Sequence, residues 1–270
     1  LTAVAQCGFA ALDERMARHW LDVVRFGESD GYEYNAPRPH AWHYRDWVIR
    51  SFRGDLPWDT FMRLQVAGDV LAPGTLDGVA ATGFLVAGVH NSVAGAGAAM
   101  RETVRQDALE EMAGTVSQAF LGLSVNCARC HDHKFDPVPT EEYYGFAAAL
   151  AGARHGTRSV TGPDGREAEV WAVVSGPADA VHVLPRGDVR RPAAEVVPSG
   201  LHALGAEGAE FGIGPGAPDG ERRRLLAEWL ATTAAGPVSR VIVNRVWQWH
   251  FGRGIVDTPG DLGFNGGRPS

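Results

Sequence analysis

Apolar residues recur every three or four positions near the start of the chain. Leu12, Met16, Trp20 and Val23 or Val24 share one helical face, which predicts an amphipathic helix over residues 11–26. Shorter helices are expected over 42–53 and 57–67. The clearest periodic run is Val104, Ala108, Met112, Val116, Ala119 or Phe120, and Leu123, predicting a helix from about Glu102 to Leu123. Thr140 reads as an N-cap, with Glu141 and Glu142 favoured in the first turn by the helix dipole. That helix, carrying Tyr143, Tyr144 and Phe146, is expected to end by Gly152.

Over residues 152–220 the helical period disappears and Gly and Pro punctuate the chain. Val170–Val174 and Ala180–Leu184 read as two short strands about Gly176-Pro177, paired as a hairpin. The later stretch with Gly205, Gly208, Gly212, Gly214, Gly216 and Gly220 reads as linker. Helices return over 221–231 and 238–251, with Gly252 placed to stop the second. The fold class is therefore mainly α with a small irregular β-containing, Gly/Pro-rich insert. Three regions are expected: 1–151, helical; 152–220, the insert; and 221–270, helical and packed on the first because two helices are too few to bury a core alone.

Composition narrows the function classes. With 45% hydrophobic and 21% charged residues, the chain is an ordinary globular one. Its net charge of -7 and the absence of any basic run longer than Arg222-Arg223-Arg224 argue against nucleic acid as a partner. No run of about 18 apolar residues predicts a membrane span. The chain begins at Leu1 and stops soon after a predicted helix, so it is expected to be part of a longer protein, and a missing signal peptide carries no weight. No Ser-His-Asp, P-loop or dinucleotide pattern supports other chemistry.

The 3 cysteines carry the chemistry. Cys127-Ala128-Arg129-Cys130-His131 has the C-x-x-C-H spacing at which two thiols form thioethers to one haem while the adjacent His ligates the iron. One covalent haem c is expected, on Cys127 and Cys130, with His131 as proximal iron ligand. Such attachment takes place outside the bacterial cytoplasm, so the protein is expected to be exported, periplasmic or on the cell surface. Cys7 is left as the odd thiol, buried or frayed.

The chain resembles a known family at this point. The segment from Cys127 to Pro137, together with Arg18-His19-Trp20-Leu21-Asp22, Ser29 to Glu33, Trp42 to Arg50 and Gln65 to Asp69, is similar to the planctomycete-type cytochrome proteins that pair a DUF1549 (PSCyt2) region with a DUF1553 (PSD1) region. Asn244-Arg245-Val246-Trp247 through Gly254 resembles the start of the second region. The resemblance spans roughly residues 10–150 and 220–270. It implies an exported haem protein and supplies no reaction.

The sixth ligand is open. All 4 methionines (Met16, Met62, Met100, Met112) precede Cys127, so the sixth ligand is expected to be a His, an upstream Met, a residue outside this fragment, or absent. His19 and His250 are the distal candidates among the histidines, each weighed against a hydrogen-bonded core role and a helix-dipole role respectively. His133 is too close to His131 to reach the opposite haem face and is cast as a hydrogen-bonding neighbour of the ligand, with Asp132, Asp136 and Lys134. Lys134 is the only lysine; the rest of the 25 basic residues are arginine. Trp42, Tyr44, Trp47 and Trp58 are expected in the core rather than around a cofactor. The loop with Glu28, Asp30 and Glu33 lacks calcium-loop spacing and reads as solvated. The expected role is electron transfer to a redox partner protein or an adjacent cytochrome domain. The alternatives are a haem enzyme with an open sixth position, using Arg18, Arg45 or Arg129, and a structural metal module of Cys127, Cys130, His131 and His133.

Overall fold

A computed structural model describes residues 2–93, 95–205 and 207–270, with the side chains of residues 2–11 excepted. Cys7 lies among those excepted side chains, so the expectation for its thiol falls outside the described residues. About 48% of the chain is helical, with a small antiparallel β region. The mainly α expectation therefore holds. Contacts divide the chain into two compact units that are not consecutive in sequence: 1–89 with 155–174, and 90–154 with 175–270.

The first unit contains α1 (Thr2–Val23), α2 (Trp42–Arg53), α3 (Trp58–Leu71) and α4 (Leu76–Ala81), followed by a 3-10 turn, Thr82–Val86. α2 occupies the predicted span, and α3 runs a few residues past its predicted end. α4 and the turn were not anticipated: they are short, and every residue from Gly78 to Val86 is buried, so no polar face marks the helical period there. The core is aromatic, as expected for these rings. Trp20 packs edge-on against Trp58 and Phe61 at centroid distances of 5.3 and 5.4 Å, and Trp47 stacks on Phe61 at 5.1 Å. Trp42 differs, lying exposed and stacked on His43. Trp20 Nε1 donates to Gln65 Oε1 at 2.8 Å, and the Tyr44 hydroxyl donates to the same oxygen at 2.7 Å.

The acidic loop is not simply solvated. Asp30 is buried and accepts from Arg38 Nε at 2.9 Å, while Arg38 also donates to the carbonyls of Val86, Ala87 and Gly88. A buried carboxylate needs such a partner, and a planar guanidinium with five donors can serve it and three carbonyls at once.

The predicted hairpin is corrected. β2 (Glu167–Ser175) pairs with the preceding β1 (Ala153–Thr161), not with the strand that follows it. The turn is Pro163-Asp164-Gly165, where Gly165 takes φ +76 and Gly162 N–H donates to Arg166 O at 2.7 Å. The following strand shrinks to β3 (Val181–His182), which pairs antiparallel with β4 (Glu195–Val196).

The second unit holds α5 (Ala98–Val116), α6 (Thr140–Ala148), α7 (Asp219–Ala231) and α8 (Ala235–Phe251). Gly252 closes α8 at φ +82, as its position suggested. The linker before α7 is anchored rather than loose: buried Arg222 donates to Ala217 O and Ala148 O, both at 2.8 Å, and to Pro215 O.

Candidate functional site

The Cys-His segment is built at the end of α5. That helix does not stop at Val116 but widens into a π turn, Ser117–Leu121, ended by Gly122 in the left-handed conformation at φ +62. A β-carbon at Gly122 would press within 2.9 Å of Val241. The turn leaves carbonyls without a helical partner. Buried Arg245 of α8 supplies donors to Ala119 O and, at 2.6 Å, to Gln118 O. Its guanidinium meets carbonyls rather than a carboxylate, and burial pulls its pKa down to about 10. The neighbouring Asn244 holds Val256 by both backbone groups at 2.9 and 2.8 Å, and Leu262 N–H donates to Gly122 O at 2.7 Å.

Val125–Arg129 then forms a 3-10 turn. Val125 and Ala128 point into the protein and are buried. In such a turn residues i and i+3 eclipse, so Cys127 and Cys130 fall on one face; both thiols are free and exposed. Asn126 seats against Gly114 of α5, where a larger residue would have no room. Arg129 reaches back to Asp107 at 2.8 Å and to Glu110. Partial burial works against that charge, but the two carboxylates outweigh it and raise the pKa. Arg129 is thus a fastener of the loop to α5.

His131 is exposed, and its Nδ1 lies 2.7 Å from Asp132 O. A carbonyl only accepts, so Nδ1 carries the proton and a neutral ring leaves Nε2 as an exposed lone pair. The residues after it hold the loop. Asp132 Oδ1 accepts from Thr140 N–H at 2.9 Å, satisfying one of the orphan donors at the start of α6. Thr140, expected as the cap, is the first helical residue instead. His133 Nδ1 accepts from the backbone N–H of Asp136 at 2.8 Å, which puts its proton on Nε2, 3.3 Å from Ser124 Oγ. Buried Asp136 accepts from Phe264 N–H at 2.7 Å. The group that orients the His131 ring is therefore the backbone of Asp132, not the side chain of His133. Lys134 is exposed, its ammonium 5.0 Å over the Phe135 ring and paired with neither Asp132 nor Asp136.

Behind the loop, the Tyr144 hydroxyl donates to Arg129 O at 3.0 Å and Leu184 O at 3.3 Å. Tyr143 packs edge-on against it at 5.0 Å. Burial pushes the Tyr144 hydroxyl up to about 12 and that of Tyr143 higher still. Gly187, at φ +71, touches the motif from outside: a β-carbon there would lie 3.2 Å from Cys130 Sγ.

The two distal candidates belong to different units. His19 lies in α1 of the first unit, whereas His131 belongs to the second. His250 sits exposed in the last turn of α8, its Nδ1 2.9 Å from Val246 O. Of the arginines, Arg18 is exposed and Arg45 pairs with Glu28 and Asp46. Among the described residues, no three His, Cys, Asp or Glu side chains converge on a point where they could hold a bare metal ion. The donor set does fit a haem c: two free thiols on one face and a His of fixed tautomer beside them. Sequence reasoning valued Asn244 and Arg245 only as part of a resemblance. Their structural work depends on a π turn that residue spacing does not announce.

Comparison with known proteins agrees with the two halves of this arrangement. Residues 10–155 match the model of PSCyt2, described as a protein of unknown function (DUF1549). Residues 222–270 match that of PSD1, likewise a protein of unknown function (DUF1553). No curated protein and no solved structure matches the chain. The first match covers more than half of the sequence, and the chain belongs to the PSCyt2 (DUF1549) family.

Proposed function

We propose that the chain is the haem c-bearing part of an exported electron-transfer protein. The observation that carries this reading is the geometry of the loop: His131 Nδ1 lies 2.7 Å from Asp132 O, which leaves Nε2 as the ring nitrogen available to iron, beside two free, exposed thiols. Cys127 and Cys130 would each add S–H across one vinyl double bond of the porphyrin, sulfur to one carbon and hydrogen to the other, with no net oxidation. His131 would ligate the iron. When bound, the haem supplies a one-electron couple whose potential follows the sixth ligand. The protein's own contribution is to hold the loop still. Arg129 ties it to α5, the Tyr144 hydroxyl ties it to Leu184, and Asp132 and His133 spend their side chains on backbone donors. The partner would be a redox protein or an adjacent cytochrome domain. Among the described residues no helix is long and apolar enough to cross a membrane.

The structural metal reading is disfavoured by His133, both of whose ring nitrogens are already engaged. The deciding experiment is expression behind a signal peptide in a host that matures cytochromes c, followed by a haem stain on a denaturing gel and a pyridine haemochrome spectrum. Covalent haem in the wild type and its loss in Cys127→Ala/Cys130→Ala is the expected result. No covalent haem, with one equivalent of zinc released on denaturation, would overturn it. The ferrous spectrum with and without CO then separates the carrier from an enzyme with an open position.

A further inference from the structure

The second unit contains a cavity of about 550 Å³ that the electron-transfer reading does not use. This is within the range of small-molecule pockets, roughly 300–1,000 Å³. Its walls are aliphatic, with Leu121, Leu123, Leu204, Val256 and Leu262 prominent. The lining comes from five separate stretches of chain, two of which flank the Cys-His motif on either side. Only two ionisable side chains line it, Asp136 and Arg240.

The two differ in what they have left to give. Asp136 is buried, and its Oδ1 is taken by Phe264 N–H at 2.7 Å. Gly263, whose β-carbon would collide with this carboxylate, lets the C-terminal segment close over it. Arg240, from α8, is exposed and makes no hydrogen bond or ion pair among the described residues. The contrast with Arg38, Arg222 and Arg245, each of which spends its donors on carbonyls, is direct. An apolar cavity with one uncommitted guanidinium complements an apolar body with one anionic head. The Asp136 carboxylate disfavours a second negative group inside.

We propose that this cavity binds an amphiphilic monocarboxylate, aliphatic in body, with its carboxylate on Arg240. The site is independent of haem attachment, so the proposal stands or falls apart from the reading above. Decanoate titrated into the full chain by calorimetry tests it, with decanol and decyltrimethylammonium as neutral and cationic comparators. The expected result is saturable binding of one decanoate, about tenfold tighter than decanol. Arg240→Gln removes that preference and leaves decanol binding unchanged, because the residue is exposed and holds nothing else. Leu204→Trp, which fills the cavity, weakens both ligands. Absence of saturable decanoate binding, decanoate no tighter than decanol, or a preference that survives Arg240→Gln would each overturn it. So would a sedimentation dimer that binds no decanoate, in which a second copy fills the cavity.

Discussion

The two units hold themselves together by different means. In the first, rings pack on rings: Trp20, Trp47, Trp58, Phe61 and Phe84 form a continuous aromatic centre around Gln65, and the side-chain-to-backbone bonding of Arg38 lies outside that centre. In the second, the decisive contacts at the Cys-His segment are hydrogen bonds from side chains to backbone: Arg245 to the π turn, Asp132 to α6, Asp136 to Phe264, Tyr144 to the motif. Ring packing scales with buried area and tolerates some sliding. A hydrogen bond to a particular carbonyl fixes a position within tenths of an ångström. The contrast suits the chemistry proposed, since two thiols and an imidazole must share one planar partner.

The largest effect should come from breaking the aromatic centre. Trp20→Ala removes a fully buried indole and strips Gln65 and Tyr44 of a partner. A loss of about 4 kcal/mol is expected, read from urea unfolding. A loss under 1 kcal/mol would mean that this centre repacks freely and that the two units differ less than their contacts indicate.

Arg245→Ala tests the other side. It leaves two buried carbonyls of the π turn without donors and should cost about 3 kcal/mol. Its diagnostic readout is chemical: Cys127 and Cys130, whose loop follows that turn, should lose their shared orientation, and the yield of covalent haem should fall. Haem yield unchanged in a folded variant would show that the carbonyl clamp does not position the loop.

Asp132→Ala should be milder, about 1 kcal/mol, the size of a lost helix cap. Thermal unfolding would measure it, and Asp132→Asn should recover most of the loss.

The smallest effect is a pH dependence. Burial raises Tyr144 from 10 to about 12, so the folded state favours the neutral phenol. Its contribution is fully present below pH 10 and is lost as the pH rises through about 12. Tyr144→Phe should lower stability by about 1 kcal/mol at neutral pH and flatten the alkaline fall of the unfolding midpoint. Parallel alkaline limbs in the two proteins would sink this assignment.

Much of this comparison could be read from residue order, and the readable part is instructive. α2 lies where its periodicity placed it, because Tyr44, Trp47, Val48 and Ser51 share a buried face against polar neighbours. α8 stops at Gly252, where only a left-handed residue completes the cap. The Cys-x-x-Cys-His segment stood out by its spacing, and its two thiols lie free and exposed at a 3-10 turn. What escaped was non-local. The partner of β2 was misassigned because Gly176-Pro177 drew more weight than Pro163-Asp164-Gly165, the actual turn. Asp30 looked solvated because its partner, Arg38, draws its other bonds from carbonyls some fifty positions away. The cavity is assembled from stretches between residues 121 and 269, and no local pattern can announce it.

The π turn at Ser117–Leu121 has a consequence of another kind. A π turn holds one residue more than an α-helix would over the same span. Deleting a single residue there would let ordinary helix cover the same span, so Gly122 and the loop beyond it would keep nearly their present direction. The change would fall on the carbonyls of Gln118 and Ala119, which would regain helical partners and no longer need Arg245. A buried guanidinium would then be left with nothing to bind, so a deletion in the turn would be felt first in α8.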